Sequence, residues 1–304
     1  MPEKKFLIVI AGPTAVGKTE LCLKLAQYLE TEIVSADSRQ FYKEMTIGTA
    51  KPTNDELALV KHHFINSHSI RENYSVGKYE NDALAVLDTI FEQKNTAILT
   101  GGSGLFIQVL CDGIDEMPET KPEIREVLTK RLENEGLEIL VNELEELDPE
   151  YHKQVDKANP QRILRALEVC LSSGKTYSSF RQQKKAERPF EIIKIGLTRP
   201  REELYARIDQ RMDNMLHEGL LEEARSLYPY KTHNALQTVG YKEIFDFIDG
   251  LYDWDEAVRL LKRNSRRYAK RQMTWFNKDK AFYWFEAGDF EKIQKFLEEK
   301  IKNI

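Results

Sequence analysis

Cysteine is scarce in this chain. Three occur in 304 residues, Cys22, Cys111 and Cys170, far apart and each in an apolar stretch. They form no C-x-x-C pair, which argues against a disulfide framework and for a reducing compartment. Histidine is nearly as sparse. His62 and His63 are adjacent but have no H-x-x-x-H or mixed Cys/His spacing, so no zinc site is expected and both read as strand-edge residues. Long apolar runs are missing as well. No stretch approaches the length that spans a bilayer, and residues 1–5 lead straight into a strand, so no cleavable leader is expected. A cytoplasmic protein with no membrane partner is the expectation. Internal repeats and low-complexity segments are also absent. One further absence is local. The strand expected over 96–100 ends in Thr100 and Gly101-Gly102-Ser103-Gly104, where many ATPases carry an acid that holds magnesium, and this weakens a conventional ATPase reading.

What remains is an ordinary globular composition, 41% hydrophobic and 31% charged, in a chain long enough for one large domain and a smaller one. The net charge of −5 conceals an asymmetry. Residues 115–150 hold thirteen acids against four bases, 151–190 nine bases against three acids, and 259–280 nine bases against Asp279 alone. Two basic segments in a mildly acidic chain can bind a polyanion on one face, or can be solvated helix faces.

The stretch Gly12-Pro13-Thr14-Ala15-Val16-Gly17-Lys18-Thr19 fits G-x-x-x-x-G-K-[ST], the phosphate-binding loop. An apolar run over 6–11 precedes it, as a buried parallel strand would. A helix over 20–30 follows, with Leu21, Leu25 and Leu29 on one stripe. This order aims backbone N–H groups and a helix N-terminus at a phosphate. Lys18 adds a point charge, and the Thr19 hydroxyl can ligate Mg2+. A nucleotide-binding, phosphate-loop NTPase-like α/β fold follows, a parallel sheet flanked by helices. Whether the phosphate is a kinase's donor or a leaving group stays open.

A second strand over 32–36 ends at Asp37. Ligands of parallel sheets sit beyond the carboxyl ends of strands, so Asp37 should lie near the bound phosphate. Further elements are expected as a strand at 62–66, a helix over 76–93, a strand over 190–197 and helices over 201–218 and 255–276. Between them, residues 113–189 read as a helical insertion domain with helices over 121–135, 137–147 and 159–173, while 1–112 and 190–304 form the α/β core. The last inserted helix starts at Asn159-Pro160, a cap followed by proline at the first helical position. Arg162 and Arg165 share its face. Arg207 and Arg211, four apart, can clamp phosphate oxygens together, although arginines on a helix are commonly just solvated. The glycines at 101–104 allow a backbone to approach a ligand, with Ser103 supplying a hydroxyl, or make a plain strand-to-helix turn. Residues 237–242 form a glycine-centred loop between helices.

Several stretches together resemble one family. They are the phosphate loop, Asp37-Ser38-Arg39-Gln40-Phe41-Tyr42, Ile47-Gly48-Thr49-Ala50-Lys51-Pro52, Gly101-Gly102-Ser103-Gly104-Leu105, the helix from Asn159 through Glu168, Val239-Gly240-Tyr241-Lys242-Glu243, and Lys270-Arg271-Gln272-Met273-Thr274-Trp275. In this order and spacing they are similar to the bacterial tRNA dimethylallyltransferases (tRNA isopentenyltransferases), over about residues 6–285. The zinc-finger extension of some eukaryotic relatives is not expected, in keeping with the bacterial type. Phe106 stands where the family often has tyrosine, and Gln237 where some members have arginine.

The resemblance implies transfer of a dimethylallyl group from dimethylallyl diphosphate to N6 of adenosine 37 in tRNA. The loop then holds a leaving diphosphate. The N–H groups of residues 14–19, Lys18, Mg2+ on Thr19, and Arg211 would neutralise it, with Arg207 the weaker second arginine. Asp37 would be the general base, or a magnesium partner through water; the two roles can coexist. Asp37, Ser38, Arg39, Gln40, Ser103, Arg125, Gln161, Arg162, Arg165, Gln237, Gly240 and Lys242 would contact the tRNA anticodon stem-loop, the basic segments would grip its phosphates, and a monomer is expected. A nucleoside or nucleotide kinase and a non-catalytic RNA-binding protein are the competing readings. ATP consumption without prenylation would mark the first, and tRNA binding without turnover the second.

Overall fold

A computed structural model describes residues 4–182 and 185–302. Six parallel strands make one sheet in the order β3-β2-β4-β1-β5-β6. They are β1 (Phe6–Ala11), β2 (Ile33–Ser35), β3 (His62–His63), β4 (Thr96–Gly101), β5 (Glu191–Thr198) and β6 (Phe282–Glu286). The register pairs Ala11 with both Gly101 and Gly196, and Ser35 with Thr100, so β1, β2 and β4 finish within a residue of one another and β5 runs on two residues to Thr198. The unbroken apolar strands follow from burial on both faces. Successive side chains alternate between faces, so Ile8 and Ile10 pack with Leu25 and Ile195 on one side, and Leu7 and Val9 with Leu87 and Leu99 on the other.

The helices on this sheet are α1 (Lys18–Tyr28), α2 (Asn54–Leu59), α3 (Val76–Gln93) and α4 (Gly104–Asp112), then, after the insertion, α10 (Arg201–His217), α11 (Leu220–Leu227), α12 (Tyr241–Ile248), α13 (Trp254–Phe276) and α14 (Phe290–Lys302). Local sequence sets their starts. Thr53 and Glu56 close a reciprocal capping box on α2, and Ser75 caps α3 by accepting from the Lys78 N–H. A third apolar cluster, with Met45, Leu220, Leu236, Tyr241 and Leu261, lies under α10–α13.

Several elements depart from expectation. The third strand is only two residues long, since Phe64 and Asn66 turn to positive φ. The sixth strand and its helix α14 were not anticipated. The aromatic run Phe282-Tyr283-Trp284-Phe285 carries no alternation, so its pattern is silent, and it pairs because Trp284 lies opposite Gly196. A Cβ on Gly196 would come within 2.6 Å of the indole.

Residues 113–186 form a second compact unit, while 4–112 with 187–302 form the first. The second is helical throughout its described residues: α5 (Pro122–Glu135), α6 (Leu137–Leu147), α7 (Pro149–Gln154), α8 (Pro160–Ser173) and α9 (Tyr177–Phe180). Asn159 caps α8 ahead of Pro160, and Gly174 ends it in the left-handed region. Leu128, Leu140, Leu144, Ile163 and Leu167 fill its own core. Residues 183 and 184 of the basic stretch after α9 lie outside the described residues. One buried carboxylate ties the unit together. Asp148 is 0% exposed and accepts from the Tyr151 N–H (2.9 Å), the Ser178 N–H (2.7 Å) and the Ser178 hydroxyl (2.8 Å). Asp148→Ala strands three donors, so urea unfolding of the full chain should show a loss of about 2–4 kcal/mol, against less than about 1 kcal/mol for a surface control such as Glu150→Ala.

Candidate active site

The phosphate loop leaves β1 at the centre of the sheet. Its polarity is fixed from outside by cations. The Lys18 ammonium donates to the carbonyls of Gly12 (2.9 Å) and Pro13 (2.8 Å), Arg207 Nε to Ala15 O (2.9 Å), and Arg199 Nε to Val16 O (2.7 Å). Gly17 adopts φ 114° as the N-cap of α1, a conformation that favours glycine. With four carbonyls engaged, the N–H groups of Ala15, Gly17, Lys18 and Thr19 have no acceptor among the described residues. The Thr14 N–H is different, because it donates to the Gln272 carboxamide at 2.9 Å. Of the N–H groups expected to face a diphosphate, this one already has a partner.

The loop borders a cavity of about 540 Å3 that also takes in Asp37, Gln40, Gly102, Arg207, Arg211 and Tyr268. Burial lowers the Lys18 pKa to about 8, with Asp37 opposing and Arg211 adding to the shift. Arg211 is held below its usual value by burial against the pull of Asp37. Among the described residues no hydrogen bond or ion pair holds its guanidinium. Arg207, four residues earlier, faces the same cavity but spends its Nε on Ala15 O. Tyr268, on α13, is pushed up to about 12 by burial and by the Asp37 charge. Asp37 itself accepts the Arg39 N–H at 3.0 Å.

The other expected residues divide. Ser38 and Ser103 meet: the Ser103 hydroxyl accepts the Ser38 N–H at 3.0 Å and lies 3.0 Å from the Ser38 hydroxyl. Arg39 donates to Asn234 O at 2.8 Å, and Gln40 to the carbonyls of Thr49 (3.2 Å) and Ala50 (3.1 Å). Both therefore brace neighbouring loops. Gly240 is buried at the start of α12, its N–H accepted by Glu243 at 2.8 Å, while Gln237 and Lys242 are exposed. In the helical unit, Arg125 donates to Gln161 at 2.5 Å, and Arg125 and Arg165 lie 3.6 and 3.2 Å from the buried Glu168. Arg162 is exposed on the same helix.

The sequence offered no motif for several residues here. Ile208, Met212 and Met215 on α10, with Leu220, Val239 and Ala50, give the cavity an apolar sector. Their spacing of four and three was legible as a helix stripe, yet that pattern reads as core. The turn 47–49 is fixed by Glu223, whose carboxylate accepts the N–H groups of Thr46 (2.9 Å), Ile47 (2.8 Å) and Gly48 (2.9 Å) and the Tyr241 hydroxyl (2.6 Å). The glycines after β4 serve the protein's own packing. A Cβ on Gly102 would sit 2.3 Å from Gln272 Nε2, and one on Gly104 would sit 2.2 Å from the Trp275 ring.

Among the described residues no cluster of three His, Cys, Asp or Glu side chains could hold a metal. Thr14, Thr19, Glu20 and Asp37 bring side-chain oxygens to the cavity at the loop. That sparse, hard set suits Mg2+, which keeps much of its water and takes few protein ligands beside a phosphate. No described helix is long and apolar enough to cross a membrane.

A family model described as IPP transferase matches residues 40–279. The chain is 52% identical over 298 residues to the tRNA dimethylallyltransferase of Cytophaga hutchinsonii, covering 98% of each. Its structure is similar to the full-length tRNA isopentenylpyrophosphate transferase of Bacillus halodurans (TM-score 0.74, 35% identity, 99% of this chain and 98% of that one). It is also similar to a eukaryotic dimethylallyltransferase acting on tRNA (TM-score 0.81, 25% identity, 99% and 80%). With that match across most of its length, joined to a phosphate loop and Asp37 on one cavity, the chain belongs to the IPP transferase family.

Proposed function

We infer that this chain is an enzyme that transfers a dimethylallyl group from dimethylallyl diphosphate to N6 of adenosine 37 in tRNA, beside the anticodon, and releases diphosphate. The observation that carries the reading is one cavity with three chemically distinct parts. Free loop N–H groups with Lys18 and Arg211 suit a diphosphate. The sector of Ile208, Met212, Met215 and Leu220 suits a short branched hydrocarbon. Asp37 stands beside the loop. A kinase has less support, because Thr100, at the place of the usual acid, instead donates its hydroxyl to Ile10 O at 3.0 Å.

In the reaction the N6 lone pair attacks C1 of the dimethylallyl group, and the C1–O bond breaks with its electron pair on the diphosphate. Charge grows on the leaving oxygens, and fixed donors that are already oriented stabilise it without reorganisation. Lys18, Arg211 and the loop N–H groups fill that role. Thr19 would hold Mg2+, with Asp37 its partner through water, and the ion supplies further neutralisation of the diphosphate when bound. N6 is a weak nucleophile until it loses a proton, and Asp37 takes that proton as the bond forms. Adenosine 37 leaves the loop stack to reach the cavity. Exposed Arg162 on the helical unit, and Arg267 and Lys270 on α13, suit the tRNA phosphates, so affinity falls with salt.

Incubation with unmodified tRNA, dimethylallyl diphosphate and Mg2+ should yield N6-prenylated adenosine 37 by nucleoside mass spectrometry. ATP turnover with no prenylated nucleoside would reject the reading. Asp37→Ala should lower kcat by about a hundredfold or more while tRNA affinity by filter binding changes by less than about threefold. Because the Lys18 pKa lies at about 8, its positive charge is present below that pH and lost above it. The kcat/KM for dimethylallyl diphosphate should therefore fall as pH rises through about 8. In Lys18→Arg, whatever activity remains should lose that limb, since arginine stays charged.

A further inference from the structure

Gln272 has no part in the chemistry above, yet its side chain joins the diphosphate end of the cavity to the Asp37 end. It sits on α13, 6% exposed. Its carboxamide oxygen accepts the Thr14 N–H at 2.9 Å, and its nitrogen donates to Gly102 O at 2.9 Å. Thr14 belongs to the loop after β1, and Gly102 to the turn after β4. The turn is in turn packed on the general base. A Cβ on Gly101 would come within 2.6 Å of Ala36 C and O and 3.0 Å of Asp37 N, so the backbones touch, and Ala36 N donates to Thr100 O at 2.7 Å. The chain of contacts runs Thr14–Gln272–Gly102–Gly101–Asp37.

We propose that Gln272 is a positioning residue that sets the spacing between the diphosphate loop and Asp37. This rests on the prenyl-transfer reading. A carboxamide matches both ends, since its oxygen accepts from the Thr14 N–H while its nitrogen donates to the Gly102 carbonyl. The bond to Thr14 also has a second effect. It withdraws one N–H from the anion cradle, so the link is kept at the expense of a diphosphate donor. Cutting it should therefore hurt the chemical step, where the leaving group and the base act together, and should leave diphosphate affinity intact or improved.

Gln272→Met keeps the volume and removes both hydrogen bonds. Gly102→Ala presses a methyl group to 2.3 Å from Gln272 Nε2 and breaks the link from its other end. In both variants kcat at saturating tRNA should fall about tenfold or more, as misplacement of reacting groups by about 1 Å produces. Calorimetry with inorganic diphosphate and Mg2+ should give a Kd within about twofold of the unsubstituted chain, or tighter, because the Thr14 N–H is released. A residue that merely stabilised the fold would lower melting temperature with kcat unchanged, and that outcome overturns the proposal. So does a loss confined to KM with a matching loss of diphosphate affinity. If Gln272→Met is recovered unfolded, Gly102→Ala decides by the same readouts. The unsubstituted chain in the same assay separates the two levels. If it does not prenylate, the function and the role of Gln272 fall together. If it prenylates and the variants keep its kcat, only the role of Gln272 falls.

Discussion

The polarity of the loop between β1 and α1 is the constraint on which the site depends. A peptide loop that presents N–H groups to an anion must turn its carbonyls the other way, and those carbonyls need donors. Here Lys18, Arg199 and Arg207 supply them at Gly12, Pro13, Ala15 and Val16. Two of the three come from the far half of the chain, Arg199 just after β5 and Arg207 on α10. The anion cradle is therefore a product of the whole sheet being assembled. Arg207 and Arg211 consequently differ in duty despite sharing a helix face, one bracing the loop and the other open to its ligand.

Much of this was legible beforehand. The phosphate loop has strict spacing, its strand is a continuous apolar run, and Asn159-Pro160 marks a helix start that the structure repeats to the residue. The helix 76–93 and its amphipathic stripe were equally plain. What escaped were roles with no local signal. Gln272 lies in one of the stretches that carry the resemblance, yet nothing there tells its task, because its two partners are 258 and 170 residues away. Glu223 looks like a solvated helix acid, and only the fold brings it to three N–H groups of the 46–48 turn. The apolar sector of the cavity was visible as a stripe, but a stripe cannot say whether it faces core or substrate.

The charge asymmetry also reads differently in three dimensions. On α13, Arg259, Lys262 and Arg266 pair with Glu256, Asp213 and Asp209. Such exposed pairs contribute little stability, but they spend cations that the sequence seemed to offer to a polyanion. Arg125 and Arg165 are likewise gathered around Glu168. The positive charge left over is smaller and better placed than a count of basic residues implies, favouring position over sheer attraction.

Glycine and bulk are matched across the fold. Gly102 fits Gln272, Gly104 fits Trp275, Gly196 fits Trp284, and a Cβ on Gly48 would fall 2.6 Å from the Tyr241 ring. Each pair joins positions remote in sequence, and neither member can change size alone without a clash or a void. Related sequences should therefore drift at these positions in concert, with enlargement on one side answered by reduction on the other.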